Sequence, residues 1–170
     1  MAEITVPLSR KGIADAKKFL LDYKKNVLQQ KLKVFVERLA QEGVETAKAN
    51  ITTFDAIFTG ELLNSIHEES GVQTKNTAIF YVVADSEHAI FVEVGTGIIG
   101  AQTQYHGKLP VMYAQGKTIH QTENGRYGWF YQDAYGDWWF TEGMPSRPFM
   151  YNASIYMRER IEKLAKEVFK

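Results

Sequence analysis

The sequence predicts an α+β domain: an antiparallel β-sheet packed against a long N-terminal helix (or helix pair) and an amphipathic C-terminal helix, with a loop-rich aromatic hairpin insertion. Three observations predict it. Apolar residues recur at helical spacing from Ile13 to Ala47 and again from Met150 to Val168. Between them, Ser65–Ser70 and Thr77–Val83 read as two strands joined by a turn around Gln73 to Asn76. Helices at both ends with strands between them segregate as α+β architectures do.

Each element has its own signal. Glu3 to Val6 alternates and predicts a short strand ended by Pro7. Ser9 is placed to cap the helix that follows. Ile13, Ala16, Leu20, Tyr23 and Val27 form one apolar stripe, with Lys11, Lys18 and Lys25 opposite and Lys17, Lys24 and Lys31 along its border. Leu28, Leu32, Phe35, Val36, Leu39, Ala40, Val44 and Ala47 keep the same period. The two runs make one long helix, or two with a bend near Asn26 to Gln30. Both are amphipathic and need a sheet or another subunit to cover them.

After Asn50 the texture changes. Phe54 to Gly60 predicts a loop ending in a turn, and Glu87 to Val94 fits either a strand or a short helix. Gly95, Gly97, Gly100, Gly107, Gly116, Gly125 and Pro110 make residues 95–126 loop-rich. Tyr127–Asp133 and Asp137–Thr141 flank Ala134-Tyr135-Gly136, a compact hairpin signal. The last helix begins after Pro145 and Pro148, which a helix interior excludes. Residues 1–170 thus read as a single domain with a loop and hairpin insertion at about 98–142.

Composition narrows the function. Hydrophobic residues make up 45% and charged residues 24%, so the chain can bury a core and is not expected to be disordered. The absence of cysteine excludes disulfides and thiolate metal sites. The N-terminus lacks a signal-peptide pattern, and no apolar run approaches the roughly 20 residues of a membrane span; a soluble protein made in the cytoplasm, with no membrane partner, is expected. The formal net charge is +0, which argues against a dedicated nucleic-acid binder and leaves the Lys stripe at most weak, non-specific DNA contact. The charge is segregated, however. Residues 1–50 carry 10 basic and 6 acidic side chains, residues 51–149 carry 5 and 11, and residues 150–170 carry 5 and 3. Solvated helix faces beside an acidic sheet account for this, as do oppositely charged faces that meet between subunits.

Catalytic patterns fail on context. Gly95-Thr96-Gly97-Ile98-Ile99-Gly100 matches a dinucleotide-binding pattern, but no βαβ unit surrounds it and no helical periodicity follows, so a loop needing positive φ is the reading. His67, His88, His106 and His120 have no metal-binding spacing, and His106 and His120 with Glu123 form a cluster on paper alone. Ser65 and His67 alternate on one strand face without a nucleophile elbow. No catalytic, cofactor or metal site is expected. The densest feature is the hairpin, where alternation sends Tyr127, Trp129 and Tyr131 to one face and Phe130 to the other, with Tyr135, Trp138, Trp139 and Phe140 alongside. Subunit contact, ordinary core and a platform for stacking on sugar rings are the three uses open to it.

Three segments carry a resemblance. Thr59-Gly60-Glu61-Leu62-Leu63-Asn64-Ser65-Ile66 is similar to Thr-Gly-x-Leu-x-x-Ser-Ile after a long N-terminal helix. His88-Ala89-Ile90-Phe91-Val92-Glu93-Val94-Gly95-Thr96-Gly97 is similar to Tyr-Ala-x-Tyr-Val-Glu-Phe-Gly-Thr-Gly. Gly143-Met144-Pro145-Ser146-Arg147-Pro148-Phe149-Met150-Tyr151-Asn152-Ala153 is similar to Gly-x-Pro-Ala-x-Pro-Phe-x-x-x-Ala. In this order they resemble the siphophage tail-completion or head–tail joining proteins, the gene-product-ten-like minor tail and neck proteins. His88 and Val94 depart from the family's aromatics, and Ile98 to Asp137 is longer than the pattern.

The resemblance implies a non-enzymatic virion component without cofactors, assembled in the host cytoplasm. It would form a ring with copies of itself, a hexamer where the family's common six-fold symmetry applies, and meet the head connector or stopper and the tail tube or tail terminator. It directs attention to Thr59, Gly60, Leu63, Ser65, Glu93, Gly95, Thr96, Gly97, Gly143, Pro148 and Phe149, beside the hairpin's Trp129, Trp138 and Trp139. Thr59-Gly60 is expected to turn the chain, Gly95 and Gly97 to let it reverse, and Phe149 to lock the last helix onto the sheet. Glu93, alone in an apolar run, is expected to need a partner, in the interior or from a neighbouring subunit.

Overall fold

An unbroken helix runs from Arg10 to Thr53 and supports the rest of the molecule. The structure is a computed structural model that describes residues 5–56, 60–74, 77–108, 121–133 and 135–170. The helix comprises α1 (Arg10–Asp22), a π-helical turn over Tyr23–Leu28, and α2 (Gln29–Thr53). Of the two readings of this region, the chain adopts the single helix. The widened turn falls where a bend was expected and absorbs the irregularity without breaking the rod. Ser9 caps it as expected, its hydroxyl accepting from the Gly12 amide at 3.0 Å. The predicted strand at Glu3 to Val6 is not formed over its described part, since Thr5, Val6 and Pro7 adopt no regular structure and pair with no described strand; Glu3 and Ile4 lie outside the described residues.

α2 buries one stripe, Ala40, Gly43, Val44, Ala47 and Ile51, against two neighbours. One is the antiparallel ribbon of β1 (Ile66–Gln73) and β2 (Ala78–Ala84), registered Ile66↔Ala84 through Ser70↔Phe80 and slipping by one residue before Gln73↔Ala78. The other is the last helix, Phe149–Val168, which runs antiparallel to α2. Cross-links along that seam step in opposite directions on the two helices: Asn50 Nδ2 to Phe149 O at 3.1 Å, Glu42 to Arg160 at 2.7 and 2.8 Å, Arg38 to Glu167 at 3.2 Å, and Phe35 against Phe169. Small residues make the approach close. A Cβ on Gly43 would lie 2.4 Å from Met157 Sδ and 3.0 Å from Val82 Cγ2, so α2 touches both neighbours at this point.

Between Thr53 and the last helix come α3 (Glu61–Ser65) ahead of β1, then α4 (Ala89–Val94) and α5 (Gly97–Gln102) after β2. The hairpin of β3 (Trp129–Gln132) and β4 (Trp138–Thr141) follows, then the two-residue β5 (Gly143–Met144), and the last helix is α6. Of the ambiguous segment Glu87 to Val94, Glu87 and His88 form a turn and the rest is the helix α4. The core gathers Val44, Ala47 and Ile51 of α2, Leu62 and Ile66, Val92, and Phe149 and Ala153 of α6. Phe149 is fully buried, so truncating it to Ala would cost about 3–5 kcal/mol.

The fold class is α+β, and its layering differs from the expectation in two respects. The strands form two separate two-stranded ribbons, β1–β2 and β3–β4, among the described residues. α6 packs chiefly on α2, so Phe149 locks the last helix onto another helix more than onto a sheet. The cause is α2 itself, which buries enough apolar surface on adjacent faces to hold both partners.

Candidate functional site

Two of the three resembling segments are zipped together. Thr96 pairs with Met144 and Gly97 with Gly143, each as an antiparallel bridge. The Ser146 hydroxyl donates to Glu93 O at 2.7 Å, the Arg147 amide to Val92 O at 2.9 Å, and the Met144 amide to Thr96 Oγ1 at 3.2 Å. The backbones lie too close for side chains at the crossing. A Cβ on Gly143, at φ +101°, would lie 2.0 Å from Thr96 O, and one on Gly97, at φ +63°, 2.3 Å from Glu142 O. Gly95 faces the Ser146 amide in the same way.

This contact explains the glycine pattern and corrects part of its reading. Residues 97–102 form a short helix, where a loop was expected. The space a phosphate cradle would need is filled by the chain's own carbonyls, and the Ile99 amide already donates to Glu142 O at 3.3 Å.

Glu93 sits at the centre of the junction, 7% exposed. Its Oε2 accepts from the Met150 amide at 2.9 Å, and its Oε1 accepts from the Tyr151 amide at 2.9 Å and the Tyr105 hydroxyl at 3.1 Å. Pro148 precedes α6 and offers no side-chain cap, so a carboxylate from α4 serves the first turn instead. Burial pushes the Glu93 carboxyl up, against the pull of these hydrogen bonds. Burial and the adjacent Glu93 charge push Tyr105 up to about 12. The partner expected for Glu93 is thus found in its own subunit, at the start of α6.

The first segment meets the other two across an apolar cleft of about 610 Å³. Gly60, at φ +76°, turns the chain into α3, and Leu62 and Leu63 form one wall. Val92, Thr96 and Met144, with Trp129 and Tyr131 of the hairpin, line the rest. Thr59 lies outside the described residues. The Ser65 hydroxyl donates to Leu62 O at 2.8 Å, while His67 Nδ1 faces the Ser65 carbonyl at 2.9 Å, so hydroxyl and imidazole are not poised on each other. Among the described residues no group of three or more His, Asp or Glu is placed to hold a metal ion; His120 lies outside them. No described helix is long and apolar enough to cross a membrane.

The structure separates the two hairpin faces. Register pairs Trp129 with Thr141 and Tyr131 with Trp139, and this face turns toward the cleft. Phe130 pairs with Phe140, edge to face at 5.2 Å, and Gln132 with Trp138; this face looks outward. Trp138 is 67% exposed and Phe130 60%. The Asp133 carboxylate clasps the tip, accepting from the Trp139 indole N–H at 2.8 Å and from the Tyr135 and Asp137 amides at 2.9 and 3.0 Å. The indole and amide bonds hold that carboxyl below the usual range.

One feature outside the resembling segments is larger than sequence reasoning allowed for. From Arg10 to Val27 every residue is exposed except Gly12, which is buried, and Ala16, which is half-buried. Ile13, Leu20 and Leu21 are 58%, 62% and 59% exposed. The amphipathic stripe identified it; that its own sheet would leave it bare was not legible. No family model, curated protein or solved structure matches the chain.

Proposed function

We propose that this chain is a non-enzymatic structural protein of a tailed-phage particle, acting in tail completion or head–tail joining as a ring of identical subunits. One observation carries the association: large apolar side chains remain exposed on two projections, α1 and the outer hairpin face. Monomers seldom keep such patches, and aromatic clusters of this kind are enriched where subunits meet. The phage setting rests on the three resembling segments. Two of them meet at one buried junction, held by glycines that meet backbone to backbone and by Glu93, and the first lines the cleft beside it, which supports reading them as one inherited unit. Every role found for them is structural.

The test is sedimentation of the purified chain over a wide concentration range, beside Trp138→Ala. The expected result is a concentration-dependent oligomer that the substitution weakens while stability changes by under about 0.5 kcal/mol. A monomer at every concentration overturns the reading. Deleting the gene from its phage or prophage is expected to leave unjoined heads and tails; intact infectious particles would remove the phage assignment.

A second reading draws on the cleft, where Trp129 and Tyr131 line an apolar space of ligand size beside His88 and Glu61. A carbohydrate or other small ligand stacking there would quench tryptophan fluorescence. No response across a glycan panel would dispose of it.

A further inference from the structure

We infer that the projecting helix α1 of one subunit docks on the outer face of the aromatic hairpin of the next, so that the contact between copies is head-to-tail. The inference rests on the self-association proposed above and names its two surfaces. Charge chooses the pairing. Residues 5–28 carry six basic side chains (Arg10, Lys11, Lys17, Lys18, Lys24, Lys25) and two acidic ones, Asp15 and Asp22. Residues 121–142 carry four acidic side chains (Glu123, Asp133, Asp137, Glu142) and one basic, Arg126. Arm against arm would bring like charge together, as would hairpin against hairpin, whereas arm against hairpin brings opposite charge together around apolar centres.

The apolar centres match in size. Ile13, Ala16, Leu20 and Leu21 form one strip flanked by Lys17 and Lys24. From Ile13 to Leu21 the strip rises about 12 Å at ~1.5 Å per residue. The four-residue strands of the hairpin span about 10 Å at ~3.3 Å per residue. Phe130 and Trp138 are exposed on the outer face, Phe140 beside Phe130 is half-buried under Arg126, and the Asp133 clasp ties the tip before any partner arrives. Arg126 lies over the Phe140 ring and 4.0 Å from Glu142, so the acidic charge left to meet the arm is that of Glu123, Asp133 and Asp137. Because donor and acceptor surfaces differ, a pair of subunits keeps one of each free, and the contact propagates until a ring closes; a symmetric arm–arm contact would stop at two copies.

The chain has no cysteine, so introduced ones are unique. Lys17→Cys and Tyr135→Cys, both at exposed positions, are made as separate proteins and treated with a short bis-maleimide, alone and mixed. Cross-linked dimer is expected in the mixture and not in either protein alone. In parallel, Lys17→Glu with Lys24→Glu is expected to weaken association about tenfold at low salt, and Asp137→Lys with Glu123→Lys on the partner to restore it. Circular dichroism checks that each variant folds. If wild-type protein is oligomeric but the cross-link forms between two arms, between two hairpins, or not at all, the head-to-tail contact is overturned while self-association stands. Charge reversal without rescue overturns it equally. If wild-type protein is monomeric throughout, the proposed function falls with it.

Discussion

Replacing Glu93 by Ala tests the junction most directly. The substitution removes three hydrogen bonds, to the Met150 and Tyr151 amides and the Tyr105 hydroxyl, from a site 7% exposed. Two helix-start amides left without an acceptor cost about 1–3 kcal/mol each. Loss of an N-terminal cap alone costs about 0.5–2 kcal/mol, which sets the lower bound. Against this, the variant no longer holds a carboxylate away from water, and the vacated space admits some solvent to the amides. The expected net loss is about 3 kcal/mol. With a urea dependence of about 2 kcal/mol per molar, the unfolding midpoint falls by about 1.5 M. Denaturation is followed by circular dichroism at one fixed low protein concentration, because association would add its own stabilisation. Tyr105→Phe, which removes one bond and leaves both amides served, should lose about 1 kcal/mol. A midpoint shift under about 0.5 M for Glu93→Ala would refute the reasoning. Glu93 would then be incidental to the start of α6, and its role would have to lie at a subunit contact.

Two further results are expected. Gly143→Ala forces a Cβ to within 2.0 Å of Thr96 O at φ +101° and should cost more than about 3 kcal/mol, whereas Gly125→Ala, at φ +78° with nothing within 4 Å, should cost about 1 kcal/mol by chemical denaturation. Equal effects would mean that the close backbone crossing is not rigid. The two carboxylates should pull stability in opposite directions with pH. Glu42, held below its ordinary 4.5 chiefly by its hydrogen bond from Arg160, stabilises the fold above that pH and loses the contribution on acidification. Glu93, raised above 4.5 by burial, binds its proton more tightly when folded, so its contribution is full below pH 4.5 and is lost as pH rises through the folded value. In thermal melts from about pH 3 to pH 8, Glu42→Gln should flatten the acid limb and Glu93→Gln the decline above 4.5. Unchanged profiles would show that neither group titrates differently in the fold.

Much of the local structure was legible because it depends on neighbours in the chain. Ser9 ahead of an apolar period of 3.6 specified where α1 begins, and Pro148 specified where α6 could not begin earlier. Ala134-Tyr135-Gly136 marked the hairpin, whose two strands pair across it. The short elements fared worse. Gly97–Gln102 has glycines at both ends of its first turn and no apolar stripe, so nothing local announces the helix that tertiary packing imposes. The strand expected at Glu3 to Val6 had alternation on its side, yet Val6 lies beside α1 and no described strand pairs with it.

Glu93 shows where the boundary falls. A lone carboxylate in an apolar run announces that some partner is required, because burial without one is prohibitive, and the sequence said as much. It could not say that the partner was the first turn of a helix 57 residues further on, since that depends on how α4 and α6 cross. The hairpin makes the same point. Alternation divided its aromatics into two faces, but only the position of the cleft decided that Trp129 and Tyr131 turn inward and Phe130 and Trp138 outward. The chain by itself determined periodicity, caps, turns and the inventory of apolar and charged groups, all set within a few residues. Which of those apolar surfaces its own core would cover was settled by long-range packing: α2 had two faces to fill and left α1 with none.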